Sequence, residues 1–264
     1  MPNRVVLITG ATDGLGRALA EALAPQPDIT LILHGRDPAR LEKLEAAHKV
    51  QADFADLAQV HRMAEEVTGL TDHLSVLVNN AGIGSGAPDG DDRRLSKDGY
   101  ELRFAVNYLA AFALTQRLLP RLDTGAPARI VHVSSLGQAP IDFADPQIEH
   151  DYSGLRAYGQ SKLAMVTYGQ KLAQELDPAR ITVNSLHPAT YMPTKMVLAR
   201  RPAVDTLETG LEATLRLINS PDLDGVTGQF FDRTRPARAH DSAYDPEVQQ
   251  RLWDLSLSLT SERQ

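Results

Sequence analysis

Val5-Val6-Leu7-Ile8-Thr9-Gly10-Ala11-Thr12-Asp13-Gly14-Leu15-Gly16 is the stretch that decides the fold. Val5 to Thr9 is a short run, apolar and β-branched, as a parallel strand covered on both faces should be. The glycines follow at once, and a helical pattern then runs through Ala24 and stops before Pro25. Strand, glycine turn and helix together predict an anion site. Glycine lets the backbone approach a phosphate, and the helix N-terminus offers free N–H groups and a positive dipole end. The glycines are spaced four and then two, not the two and then three of the common dinucleotide fingerprint. An ordinary strand-to-helix turn is the bland alternative, but the flanking elements favour the phosphate.

The same alternation continues outward. Thr30-Leu31-Ile32-Leu33-His34 reads as a second strand, Val50-Gln51-Ala52 as a third ending at Asp53-Phe54, and Leu74 to Val78 as a fourth running into Asn79-Asn80-Ala81-Gly82. Helical patterns lie between them, around Leu41 and Leu44 and from Leu57 to Val67. Tyr100 to Leu119 is a long helix pattern with Asn107 in apolar surroundings, where a buried amide needs partners. Ile130 to Val133 is a fifth strand with Ser134-Ser135 at its carboxyl end. Ile181 to Leu186 is a sixth, closed by His187-Pro188, and Gln229 to Phe231 is the last, after a helix over Thr206 to Asn219. This pattern predicts an α/β fold: one Rossmann-type, doubly wound parallel sheet of about seven strands in the order 3-2-1-4-5-6-7, with helices on both faces. No linker or repeat divides residues 1–264, so a single domain is expected, containing a substrate-loop region near 189–204 and a C-terminal helix near 246–260.

The bulk composition narrows the function. A net charge of −7 without a long basic stripe argues against a nucleic-acid partner. The chain has no cysteine, so disulfides and thiolate metal sites are excluded, and a reducing, cytoplasmic setting fits. There is no signal-peptide layout at the start, and no apolar run reaches the ~18 residues a membrane helix needs. Asp89, Asp91 and Asp92 could suggest a cation site, but a solvated loop over Gly84 to Gly99 is the better reading, and no metal is expected.

The second strand bears on the cofactor. In dinucleotide folds an acid about twenty residues beyond the glycines accepts from the ribose 2′-hydroxyl and repels a 2′-phosphate. Here the corresponding place holds Gly35, followed by the cation Arg36. That favours NADP(H) over NAD(H). Asp37 is the counter-argument, but Asp before Pro38 fits a helix N-cap.

Tyr158 and Lys162 are four apart on one helix face. A free phenol, with a pKa near ~10, exchanges protons poorly at neutral pH. An ammonium ~5 Å away, at an effective dielectric of ~20, favours the phenolate by about 3 kcal/mol. A depression of about two pKa units is therefore expected, which brings the phenol toward acid–base use.

Thr9-Gly10-x-x-x-Gly14-x-Gly16, Asn79-Asn80-Ala81-Gly82, Ser135 and Tyr158-x-x-x-Lys162 resemble, in order and spacing, the short-chain dehydrogenase/reductases, over nearly the whole chain. Asp98-Gly99-Tyr100-Glu101, Asn107-Tyr108-Leu109 and Tyr158 to Ala164 are most similar to the retinol-dehydrogenase-like branch. The resemblance implies hydride transfer between a nicotinamide and a small carbonyl or alcohol substrate. Tyr158 would exchange the proton, Lys162 would lower its pKa and hold the nicotinamide ribose, and Ser135 would hold the reacting oxygen. Asn107 would anchor a water that links Lys162 to solvent. The implied cofactor set is Gly10, Thr12, Gly14, Leu15 and Gly16, then Arg36, Asp53, Phe54, Asn79, Ala81, Gly82, Tyr158, Lys162, Pro188 and Thr194. Within it the glycines line the pyrophosphate, Asp53 the adenine, and Asn79 with Ala81 the adenosine side. Thr194 meets the carboxamide or the pyrophosphate.

Two departures stand out. Ala189 replaces the family's usual glycine after Pro188, which could redirect the loop to Pro193 and disturb Thr194. The span from Ser135 to Tyr158 is long, and its excess, Ala139 to Leu155, could be a substrate lid or a solvated acidic loop. Arg233, Arg235 and Arg238 read as a solvated cluster. Val248, Leu252, Leu255 and Leu259 form a stripe that packs on the domain itself, on another copy or at the substrate mouth. Homo-oligomerisation is left open, and a membrane-surface helix is rejected for want of basic residues. Two rival readings are a non-catalytic dinucleotide sensor, which would typically lose the tyrosine or lysine, and a sugar-nucleotide epimerase or dehydratase, which needs a larger C-terminal region.

Overall fold

The computed structural model describes residues 3–86, 92–194, 197 and 202–261. Asp89, Asp91 and part of the 189–204 loop lie outside the described residues. β1 (Arg4–Ile8) pairs in parallel with β2 (Ile29–Gly35) and β4 (Val76–Asn79), and β2 pairs with β3 (His48–Gln51). On the other side β5 (Ala128–Val133), β6 (Ile181–His187) and β7 (Phe230–Asp232) follow in parallel. The order is 3-2-1-4-5-6-7, as the pattern predicts, with β8 (Arg235–Ala237) added beyond β7.

That eighth strand, Arg235–Ala237, was not expected. It turns back antiparallel on β7, with Phe231 opposite Pro236. Proline cannot donate to a ladder and survives only at an edge, which is where it sits. A three-residue strand reading Arg-Pro-Ala carries no apolar alternation, so nothing local announced it. The helix around Leu41 is also shorter than expected: Pro38–Leu41 is a single turn, and Leu44 packs beyond it.

The central strands are apolar on both faces because both are covered. Helices Leu57–Leu70, Ala110–Thr124 and Gly154–Glu175 lie over one face, and Gly14–Leu23 with Leu207–Asn219 over the other. The C-terminal helix Pro246–Thr260 starts at an Asp245 N-cap followed by Pro246 and packs on Gly154–Glu175. Its apolar stripe joins the protein's own core through Leu252, Leu255 and Leu259. Tyr100 and Tyr108 secure it by hydrogen bonds to Leu259 O and Ser256 Oγ. No helix among the described residues is long and apolar enough to cross a membrane.

Candidate active site

The carboxyl ends of the parallel strands surround one cleft of about 570 Å³. At its floor the chain makes the turn predicted from the glycines. Gly10 and Gly14 take left-handed backbone angles, with φ of 68° and 49°. A methyl on Gly16 would sit 2.3 Å from Gly10 O, so only glycine lets the helix start this close to the strand. Asp13 caps that helix by accepting from Gly14 N. Thr9 Oγ1 accepts from the backbone N–H groups of Asn80 and Ala81, while Asn80 Nδ2 donates to Thr9 O. The turn and the end of β4 are therefore one rigid piece.

His34 closes the other side of the turn. It is buried and stacks on Phe54 at 4.3 Å between ring centroids. Its Nδ1 accepts from Gly10 N and its Nε2 donates to Ala52 O. Burial pushes the imidazole down to about 4, so it is neutral at ordinary pH. Nothing in the sequence marked His34, because a histidine ending a strand reads as solvated.

Beyond this floor lie Arg36, Asp37, Arg40 and Asp53. Asp37 spends its carboxylate on the N-cap, accepting from Ala39 N and Arg40 N. Arg40 was not singled out from the sequence. It reaches back 2.8 Å to Asp13 and donates to Thr12 O, which sets a second cation at the same end of the cleft as Arg36. Only folding joins it to the glycine turn, 28 residues away.

At the opposite end stand Ser135, Tyr158 and Lys162. Ser134 turns its hydroxyl away to donate to Lys162 O, whereas Ser135 Oγ accepts from Gly137 N and lies on the Tyr158 side. Lys162 is only 6% exposed, and burial lowers it to about 8. Its Nζ donates to Val133 O at 3.0 Å and lies 5.8 Å from the Tyr158 ring centroid.

The expected depression of the Tyr158 pKa is not found. Loss of hydration raises it above the ordinary phenol range, Tyr191 raises it further, and only the Ser135 hydroxyl opposes. The physical reason is that burial of the phenol comes first, and the Lys162 nitrogen, 5.8 Å from the ring centre, does not offset it.

One more expectation changes. Asn79 is 2% exposed and does not line the cleft; its amide meets Thr115 and His132 in the core, and the neighbouring Asn80 lines the cleft instead. Asn107 is indeed a buried hub, set on a π-helical stretch, Ala105–Leu109. Its side chain holds both Ile83 N and Ile83 O and donates to Ser161 Oγ, so it grips the loop beyond β4. A methyl on Gly82 would come 3.1 Å from Asn107 Oδ1 and 3.6 Å from Lys162 Nζ. That glycine keeps open a space between the two.

The remaining cofactor candidates Thr12, Leu15, Ala81, Gly82, Pro188 and Thr194 all line the cleft. Thr194 lies over Gly14 despite Ala189, whose methyl is buried within the loop. Tyr191, with φ of 46° and a ring in the cleft, had no sequence signal. Arg233 is half-buried and paired rather than free in solvent. It binds Asp205, Asp232 and Thr190 Oγ1, and Asp205 also accepts from Thr190 N, which pins both ends of the loop between them. Arg238 pairs with Asp241 and stacks on Tyr244. The 139–155 segment is packed, with Ile141 and Ile148 buried and Gln160 bonding Asp142 N and Pro146 O.

Comparison with known proteins agrees with this geometry. Residues 4–205 match the family model described as short chain dehydrogenase. Mouse retinol dehydrogenase 14 is 32% identical over 293 residues, covering 97% of this chain and 85% of the relative. Mouse polyprenol dehydrogenase is 33% identical, covering 98% and 84%. Among solved structures, the Pseudomonas aeruginosa RhlG/NADP active-site complex superposes with a TM-score of 0.69 at 25% identity, covering 88% of this chain and 95% of that one.

Proposed function

The chain belongs to the short chain dehydrogenase family, in its retinol-dehydrogenase-like branch, and is an oxidoreductase; we propose that it uses NADP(H) to interconvert a carbonyl and an alcohol on a small organic substrate, with Tyr158 exchanging the proton. The observation that carries this reading is that Tyr158, Ser135 and Lys162 share the end of the cleft opposite the glycine turn and Arg36.

The residues present fit a phosphorylated dinucleotide. The glycine turn leaves room for a phosphate that any side chain at Gly16 would fill. Arg36 and Arg40 offer guanidinium groups suited to a 2′-phosphate, and Asp37 between them is spent on the N-cap. Among the described residues Lys162 Nζ has one hydrogen-bond partner, which leaves N–H donors for a ribose hydroxyl. Bound NADPH supplies the hydride. Ser135 holds the carbonyl oxygen by its hydroxyl, and Tyr158 donates its phenolic proton to that oxygen. A phenol held above its ordinary range remains protonated at neutral pH, the form that can give a proton to the substrate oxygen. Asn107 acts by holding Ile83 and Ser161 around this pair.

Leu136, Leu155, Tyr191 and Val204 are large apolar side chains left exposed near the segments that border Ser135, Tyr158 and the 189–204 loop. They favour an apolar substrate. Family membership and the retained Tyr158–Lys162 pair speak against the sensor reading. A cytoplasmic, single-domain enzyme remains part of the proposal on composition and patterning. The test is a panel of retinaldehyde, a prenyl aldehyde and short aliphatic aldehydes with NADPH and NADH, followed by nicotinamide absorbance. Turnover with NADPH is expected, and none with any member would overturn the reading.

A further inference from the structure

Arg103 is the bulkiest fully buried side chain among the described residues, at 1% exposure. Taking a charge out of water costs several kcal/mol, so its surroundings have to be specific. Each nitrogen is spent. Nε donates to Gly84 O at 2.9 Å, Nη2 to Ser85 O at 2.9 Å, and Nη1 to the Tyr152 hydroxyl at 2.6 Å. The countercharge is Glu101, equally buried, with Oε1 3.7 Å from Nη1. Tyr152 donates its own proton to that same Oε1 at 2.9 Å, so its hydroxyl bridges acid and base. Glu101 Oε2 accepts from Phe104 N, and Glu101 N donates to Gln147 Oε1.

These bonds join segments far apart in sequence. Gly84 and Ser85 continue the loop that leaves β4 through Gly82 and Ile83 along the cleft. Gln147 and Tyr152 belong to the 139–155 insertion. Tyr152 adjoins Ser153, whose hydroxyl caps the helix carrying Tyr158 and Lys162. A merely structural ion pair could be placed anywhere in the core. This one links the loop facing Tyr158 to the start of the Tyr158 helix.

We propose that Arg103 is a positioning residue for the reaction: through Gly84, Ser85 and Tyr152 it holds the Gly82–Ser85 edge of the cleft at a fixed spacing from the Tyr158 helix, with the 139–155 insertion as its buttress. The insertion is then neither a lid nor a solvated loop. Arg103 does not line the cleft, and its effect on turnover passes through the edge it holds. The functional part of this inference rests on the oxidoreductase reading of the site.

The test uses Tyr152→Phe, which removes one hydroxyl and keeps the ring, alongside Arg103→Lys, which keeps the charge but cannot bridge three acceptors. Amide hydrogen exchange is read on the whole protein. Exchange is expected to rise together at 83–85 and 147–152 in both variants, with Gly10–Gly16 unchanged. Kinetics with retinaldehyde should show KM rising about fivefold for the loss of one buried hydrogen bond, with the NADPH Kd unchanged. Loosening confined to 147–152, or equal losses of substrate and NADPH binding, would overturn the proposal. If the wild-type protein ignores retinaldehyde, that substrate fails while the exchange comparison still decides the role of Arg103.

Discussion

Lys162 Nζ lies 5.8 Å from the centre of the Tyr158 ring and gives a hydrogen bond to Val133 O instead of to the phenol. The pair shares one wall of the cleft without forming a contact between charge and oxygen. The protonation of the Tyr158 phenol is thus governed first by burial and then by Ser135.

Tyr158→Phe is expected to lower kcat by about 10²–10⁴, the usual contribution of a positioned acid or base. The NADPH Kd, read by quenching of protein fluorescence, should change little. Retained turnover would remove Tyr158 from the chemistry.

The buried ammonium should also cost stability. Lys162 falls from 10.5 to about 8 in the folded protein. Unfolding therefore gains protons between those values, and stability from this group rises as pH climbs through that window. Lys162→Met is expected to unfold at higher urea at pH 7, by about 1–3 kcal/mol, while losing turnover. A lower midpoint would show that the ammonium is better compensated than its surroundings suggest.

Cofactor choice should depend on both guanidinium groups. Arg36→Ala and Arg40→Ala are each expected to weaken NADPH by about tenfold, in line with the 1.5–3 kcal/mol of a charge-assisted hydrogen bond partly offset by solvent. NADH should be affected about twofold or less by Arg36→Ala, and more by Arg40→Ala, which also releases Asp13 and Thr12 O of the glycine turn. Equal losses for the two cofactors would defeat the NADP(H) assignment.

Acid should unfold the protein early. His34 and His132 are buried and neutral, lowered to about 4 and about 3 by burial. Both are protonated in the unfolded chain below about pH 6.5, so stability is lost as pH falls from there. Each should contribute about 1.6 kcal/mol of loss between pH 6.5 and 5, at 1.36 kcal/mol per unit and with the unfolded imidazole half protonated at the start. Urea titrations of His132→Phe should show a shallower pH slope whatever its absolute stability. An unchanged slope would mean that His132 finds a partner for its proton.

Much of this protein could be read from its residues in order. Val5 to Gly16, the alternation after it and the Tyr158–Lys162 spacing fix the strand order and the family, because local periodicity and glycine geometry are short-range properties. What the chain could not disclose were relations between distant residues. Asn80 rather than Asn79 lines the cleft because β4 ends at Asn79, whose amide is held in the core by Thr115 and His132, and the chain turns as it leaves the strand. Arg40 joins Asp13, Arg233 joins Asp205, and Arg103 meets Tyr152 only once the sheet has brought their segments together. The direction of the Tyr158 shift belongs here too. Charge and spacing are written in the sequence, but dehydration depends on every neighbour that excludes water, and those are chosen by the tertiary structure.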